Sequence, residues 1–317
     1  MATAIAAAGV LVIAYVTGAD AVGHPFATIS PGWIALIAVA AAVTYPAYAL
    51  AYRSVACVHG HAPLTLPMVT RVVAAGFGPF QLAGGFAVDM YVLHALDEDE
   101  RSARVRVLGL GVLEWALLAP TTCVVAIVLL AEGTDIMSSL LWPWALAVPA
   151  GFGLGLWASA PGRRDRLARI GGRRRQWLAD LLDGVGVLHT LISHPFKYAG
   201  AWVGTALYWA ADIAAFYAAL RAFGLQLGGG AVLIAYATGY AATRRSLPLG
   251  GAGVTEVLMT YALYWVHAPL APALAAVVAY RAFNFTLAAM PALLARRPVE
   301  RLVDAALELR RAGTRRR

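Results

Sequence analysis

Seven ionisable side chains stand inside stretches that are otherwise apolar: Asp89, Glu114, Asp212, Arg244, Arg245, Glu256 and Arg281. Their types point to two kinds of chemistry. A guanidinium offers a planar fork of donors that holds a phosphate at two points, and Arg281 has Tyr280 beside it and Asn284 one helical turn on. Between visits of such an anion, Arg281 needs a fixed carboxylate, for which Glu256 is the nominee. The carboxylates of Asp89, Glu114 and Asp212 are of a type that serves as a general base. Each ion costs several kcal/mol in an apolar span unless a cavity or a partner receives it, so each is a functional candidate. Mutual pairing that only holds helices together is the competing reading.

Two apolar stretches are interrupted where these charges fall. Leu64–Leu96 is broken by Gly76, Gly78, Pro79, Gly84 and Gly85, with Asp89 following; Ala231–Val266 is broken by Pro248, Gly250, Gly251 and Gly253, with Arg244 and Arg245 before the break and Glu256 after it. Each pairs a proline with a glycine doublet and then an acid. Neither flank of either break reaches a full spanning length, which predicts half-helices meeting at a non-helical turn. Such backbone survives at membrane depth only where protein or a water-filled cavity satisfies it. Half-helix N-termini carry partial positive charge and free N–H groups, the arrangement transporters use to receive anionic groups.

Other chemistry is thin. There is no G-x-S-x-G, no Walker-type phosphate loop, no H-E-x-x-H and no paired cysteine motif, so neither catalysis nor a cofactor is expected. His59, His61, His189 and His194 lie in loops or near the interface and read as hydrogen-bonding residues, not as metal ligands. Cys57 and Cys123 read as small packing residues.

The elements that position these residues are set by composition. Hydrophobic residues make up 61% of the 317 and charged residues 13%, against about 25% charged in soluble domains, which excludes a soluble globule. Spans of bilayer length are Trp33–Tyr52, Val107–Ala131, Leu140–Ala160, Ala199–Leu220 and Pro272–Ala295. Ala4–Thr17 is shorter, lacks a basic leader and is expected as a retained first helix. The fold class that follows is an all-α, polytopic integral membrane helix bundle, with about eight transmembrane helices and one or two re-entrant or broken hairpins. The sequence allows 231–266 either to cross twice or to turn back as a hairpin.

The net charge of +8 sits largely at 161–175 and 296–317, next to apolar spans, which implies anionic lipid headgroups and not nucleic acid. Loops 19–32, 132–139 and 267–271 contain no Lys or Arg, whereas 53–61, 97–106, 161–175 and 296–317 all do. By the positive-inside rule both termini are cytoplasmic. Within about 163–194, Leu178, Leu181, Leu182, Val185 and Leu188 recur at helical spacing and predict an amphipathic helix at the interface.

The run Leu247-Pro248-Leu249-Gly250-Gly251-Ala252-Gly253-Val254-Thr255-Glu256, followed by Ala279-Tyr280-Arg281-Ala282-Phe283-Asn284, resembles the lysylphosphatidylglycerol synthase transmembrane-domain family of flippase-like membrane proteins. Trp209, Asp212 and the break from Pro79 to Asp89 fit its layout. The first break departs from the family pattern in lacking its asparagines and following arginine, and Glu114-Trp115 stands where an acid–arginine pair is expected. The resemblance implies a single transmembrane domain over 1–295 and an Arg-rich cytoplasmic tail over 296–317. The tail is too short for the aminoacyl-transferase domain of larger members, so the membrane module without the synthase chemistry is implied.

The function expected is translocation of an anionic phospholipid or a polyprenyl-phosphate-linked lipid in a bacterial plasma membrane. Its substrate-binding positions would be Arg281, Glu256, Pro248, Gly250, Gly251, Gly253, Arg244, Arg245, Asn284, Asp89, Gly84, Gly85 and Asp212. The alternatives are an integral-membrane transferase acting on a lipid carrier, or an accessory scaffold of a cell-envelope enzyme. Membrane lipids are the expected partners, with a homo-oligomer or an envelope enzyme also compatible.

Overall fold

A computed structural model describes residues 29–58, 64–76, 92–93, 100–159, 162–163, 173–241 and 253–314. The described residues form helices and no strand. In chain order these are α1 (Pro31–Ala56), α2 (Leu66–Gly76), α3 (Glu100–Glu132), α4 (Ser138–Ala158), α5 (Arg173–Ser193), α6 (Ala199–Ala222), α7 (Gly229–Tyr236, running on as a π-helical turn over Ala237–Ala241), α8 (Val254–Trp265) and α9 (Leu270–Thr314). The expected first helix at Ala4–Thr17 lies outside the described residues, as does most of the first glycine break.

Five of these helices are long and apolar enough to cross a membrane: Pro31–Ala56, Arg101–Glu132, Ser138–Ala158, Ala199–Ala222 and Leu270–Val299. They coincide with the five spans of bilayer length in the sequence. The chain is therefore a multi-pass helical membrane protein. Its outward surface agrees, since α4 presents Trp142, Leu146, Leu154 and Trp157, and α3 presents Val124, Ile127 and Val128, all exposed and apolar. Helix α9 outruns any bilayer. Its 45 residues extend about 67 Å at 1.5 Å per residue, against about 30 Å of hydrocarbon.

The bundle is built around α6, which packs along α1 on small residues. A Cβ placed on Gly204 would lie 2.6 Å from both the Ala47 carbonyl oxygen and the Ala51 nitrogen. The two backbones touch there because neither helix carries a side chain between them. In lipid, where no hydrophobic force drives helices together, such close approach is what association relies on. Helices α3, α7 and α9 complete the surround of α6.

Contacts between ends of helices sort the connections onto two faces. On one, Arg106 Nη1 of α3 donates to the Ala56 carbonyl at the end of α1, and Arg101 and Arg104 meet Asp183 and Asp180 of α5 at 2.7 and 2.9 Å. Gly200, at the start of α6, lies against Ser54 of α1 on that same face. On the opposite face His267 Nε2 donates to the Asp135 carbonyl at 2.7 Å, joining the α8–α9 turn to the α3–α4 loop. The described parts of the basic segments, 53–58 and 100–106, thus share one end of the bundle, and the loops free of Lys and Arg, 132–139 and 267–271, share the other.

Of the helix expected over 163–194, the part from Arg173 to Ser193 is helical as α5, and residues 164–172 lie outside the described residues. Its Leu182, Val187, Leu188 and Leu191 are buried, and it lies directly on α3, with Val187 against Gly109 and Leu108 against Gly184. Asp180, whose side chain is 1% exposed, bonds Arg104 and lies 3.4 Å from Arg101 Nε.

Candidate functional site

Helix α8 begins inside the membrane. Its last turn shares a face with the α3–α4 loop, and its 12 residues rise only about 18 Å, so its start lies near half depth. Arg281 lies at the same depth by an independent count, about 16 Å along the Leu270–Val299 span. Helix α7 enters from the same face as the end of α8, since Gly230 lies against Val125 and Leu129 near the end of α3. The two short arms touch at Gly239, where an added Cβ would be 2.5 Å from Met259 Cα. The half-helices foreseen on either side of the second break are therefore present as α7 with its π turn and as α8.

The turn into α8 explains its glycine. Gly253 is the N-cap at φ 87°, a left-handed conformation that a side chain disfavours. Glu256, three residues on, reaches back so that its Oε2 accepts the Gly253 N–H at 2.6 Å. Its other oxygen, Oε1, accepts from Arg281 Nε at 2.9 Å. Both side chains are desolvated, at 5% exposure for Arg281 and 11% for Glu256. The Arg281 guanidinium also lies over the Phe285 ring, 4.5 Å from its centroid. One carboxylate thereby fixes a half-helix N-terminus and a guanidinium together at mid-membrane.

A second polar cluster adjoins the first through consecutive residues of α9. Asp212, near the middle of α6 and 1% exposed, accepts from the Tyr236 hydroxyl of α7 at 2.6 Å and from the Tyr280 hydroxyl of α9 at 2.8 Å. The Asn284 amide adds a longer bond of 3.4 Å. An aromatic shell encloses the cluster. Phe216 meets Tyr236 at 5.7 Å and Tyr280 at 5.3 Å between ring centroids, and Trp209 meets Tyr236 edge-on at 6.0 Å. Such rings supply large apolar contact and leave their polar tips for the carboxylate. Asp212 so ties three helices, α6, α7 and α9, at one point.

Of the positions singled out from sequence, Asp212, Gly253, Glu256, Arg281 and Asn284 come together here. Asp89, Gly84, Gly85, Arg244, Arg245, Pro248, Gly250 and Gly251 lie outside the described residues. Glu114 is buried on α3, and its backbone carbonyl accepts the Trp209 indole N–H at 3.0 Å, which braces α3 against α6 one turn from Asp212. Tyr236 escaped the sequence reading because it carries no charge. The available signal was a phenol inside an apolar run, since a buried hydroxyl needs a partner. Trp144 of α4, which donates to Thr238 Oγ1 at 2.9 Å within the π turn, escaped for the same reason.

Residues 1–292 match the family described as the lysylphosphatidylglycerol synthase TM region. The chain belongs to this family. No curated protein matches it. The match to the lysylphosphatidylglycerol synthase membrane region covers both polar clusters and ends within α9, beyond Arg281 and Asn284. A multi-pass membrane protein concerned with lipid handling or synthesis is what membership in the lysylphosphatidylglycerol synthase TM-region family supports. Among the described residues no group of three or more His, Cys, Asp or Glu side chains is arranged to hold a metal ion.

Proposed function

We propose that this protein moves an anionic lipid, a phospholipid or a polyprenyl-phosphate-linked lipid, between the leaflets of a bacterial plasma membrane, with both termini in the cytoplasm and without catalysing a covalent step. The observation that carries the reading is the Arg281–Glu256 pair at half depth, set at the N-terminus of a helix that starts inside the membrane. Beyond the capping role of Glu256, a half-helix terminus brings backbone N–H groups and the positive end of the helix dipole beside the guanidinium, and both also favour an anion. In this account a lipid phosphate displaces Glu256 from part of the Arg281 fork. The carboxylate remains held by the Gly253 N–H, so the vacated guanidinium returns to it once the lipid leaves. The acyl chains stay in the bilayer throughout.

Purified protein is expected to retain an anionic lipid detectable by native mass spectrometry, and Arg281→Ala to retain several-fold less. Equal retention by both proteins, or retention of zwitterionic lipid alone, contradicts the role given to Arg281. A transferase acting on a lipid carrier would instead convert a labelled headgroup donor in proteoliposomes, and no such product is expected.

A further inference from the structure

The two carboxylates of the site are held by different kinds of partner. Glu256 accepts from the Gly253 N–H and from Arg281 Nε–H, and neither group has a lone pair with which to accept a proton in return. Those partners suit an anion and nothing else. Among the described residues Asp212 accepts from two phenols, Tyr236 and Tyr280, and more distantly from the Asn284 amide, and a hydroxyl both donates and accepts. With Asp212 ionised both phenols point at it. With Asp212 protonated, one phenol rotates to accept its O–H while the other continues to donate, and no heavy atom has to move. The Asp212 carboxyl therefore keeps its partners in either protonation state at nearly the same geometry, with the accepting phenol turning its own O–H away, which suits a site that repeatedly takes up and gives off a proton.

Charge supplies the reason for such a site. Among the described residues the two adjoining clusters contain Asp212, Glu256 and Arg281, two carboxylates against one guanidinium, with Glu114 of α3 a further buried carboxylate nearby. The titratable neighbours around Asp212 are Tyr236 of α7, Tyr280 and Arg281 of α9, Glu256 of α8 behind Arg281, and Glu114 of α3 beside Trp209. Bringing a lipid phosphate to Arg281 adds a further negative charge at mid-membrane, where uncompensated charge is costly. One proton on Asp212 cancels it.

We propose that Asp212 is the proton site of an electroneutral proton–lipid symport, an inference that rests on the translocation reading above and adds its coupling ion. The proton is taken up on the side where the lipid enters and forms the carboxyl O–H of Asp212. It is released on the other side as the lipid departs, restoring the anion hydrogen-bonded to Tyr236 and Tyr280. No bond other than this O–H forms or breaks.

The test uses full-length protein in phosphatidylcholine vesicles with a trace of fluorescently labelled phosphatidylglycerol, whose headgroup carries one negative charge. The lumen is set one pH unit above the bath. Equilibrium labelling of the inner leaflet should rise about tenfold relative to the outer, since one pH unit is a factor of ten for a single coupled proton. A pH dye in the lumen should report acidification that follows the lipid. A potassium diffusion potential without a pH gradient should leave the distribution unchanged. Asp212→Glu, which keeps a carboxyl, should retain the pH response at whatever rate it exchanges, and Asp212→Asn should lose it. Exchange that follows the potential and ignores the pH gradient overturns the symport while leaving translocation intact, and a pH response that persists in Asp212→Asn overturns the assignment to Asp212. Absence of exchange under every condition removes the translocation reading and the symport with it.

Discussion

Arg281 of α9 and Glu256 of α8 are joined by a 2.9 Å bond that ties a helix crossing the whole membrane to a helix beginning within it. Deleting one partner strands the other charge away from water, at a cost of about 3–5 kcal/mol, whereas deleting both removes the problem together with the bond. Arg281→Met and Glu256→Leu should each lower stability by about that amount in detergent. The double variant should cost clearly less than their sum. Chemical denaturation of the four proteins supplies the cycle, and additive losses contradict a coupled pair.

Helices α7, through its π turn, and α8 meet at Gly239 with no room for a side chain, because the nearest atoms in the way belong to the Met259 backbone and cannot rotate aside. Gly239→Ala should therefore force α7 and α8 apart and cost about 1–3 kcal/mol, in the range of overpacked cores. Gly151→Ala on α4, where the added carbon meets nothing within 4 Å, is the control and should leave stability unchanged or raise it by up to about 1 kcal/mol. Thermal unfolding of the two variants decides between them.

Asp180 holds α5 to the start of α3, buried beneath the more exposed Arg101 and Arg104. Asp180→Ala removes a charge-assisted bond to Arg104 worth about 1.5–3 kcal/mol, discounted toward the low end because both arginines reach solvent. The loss should be local. Hydrogen exchange by mass spectrometry is expected to accelerate in peptides covering Arg173–Ser193 and not in those covering α6, and unchanged exchange in α5 would refute the clamp.

The His267–Asp135 contact and the Arg101–Asp183 contact mark opposite faces. Single cysteines at positions 135 and 267, in a background lacking Cys57 and Cys123, should react with a membrane-impermeant maleimide from one side only. Cysteines at 101 and 183 should react from the other, which is the cytoplasmic side in the orientation proposed above. Labelling of 135 and 183 from the same side contradicts this arrangement.

What the sequence disclosed depended on whether the physics was local. A run of apolar residues is counted along the chain, so α1, α3, α4, α6 and the membrane part of α9 were readable from length alone. The start of α8 was readable from Gly253 and Glu256, because a glycine followed three residues later by an acid is the residue pattern of a helix N-terminus. The Glu256–Arg281 pair was readable from charge economy, since a buried guanidinium needs a carboxylate. Tyr236 was not, because its bond to Asp212 spans 24 residues and involves a neutral group that looks like any other aromatic in a span. The Arg104–Asp180 clamp was hidden too. Its members lie 76 residues apart, Arg104 in a charged connection and Asp180 in the amphipathic helix, and nothing periodic links the two segments.

Lipid movement itself is the most direct test of the role given to Arg281. In vesicles containing a trace of labelled anionic phospholipid, dithionite quenches label in the outer leaflet at once and label in the inner leaflet only as it exchanges. The account predicts that wild-type protein brings quenching of nearly all the label, and that Arg281→Ala vesicles, with protein of matched quantity and fold, stop near the half quenched in protein-free vesicles. Wild-type vesicles that stop at that same half for every anionic lipid tried, or Arg281→Ala vesicles that quench as fully as wild type, would contradict it.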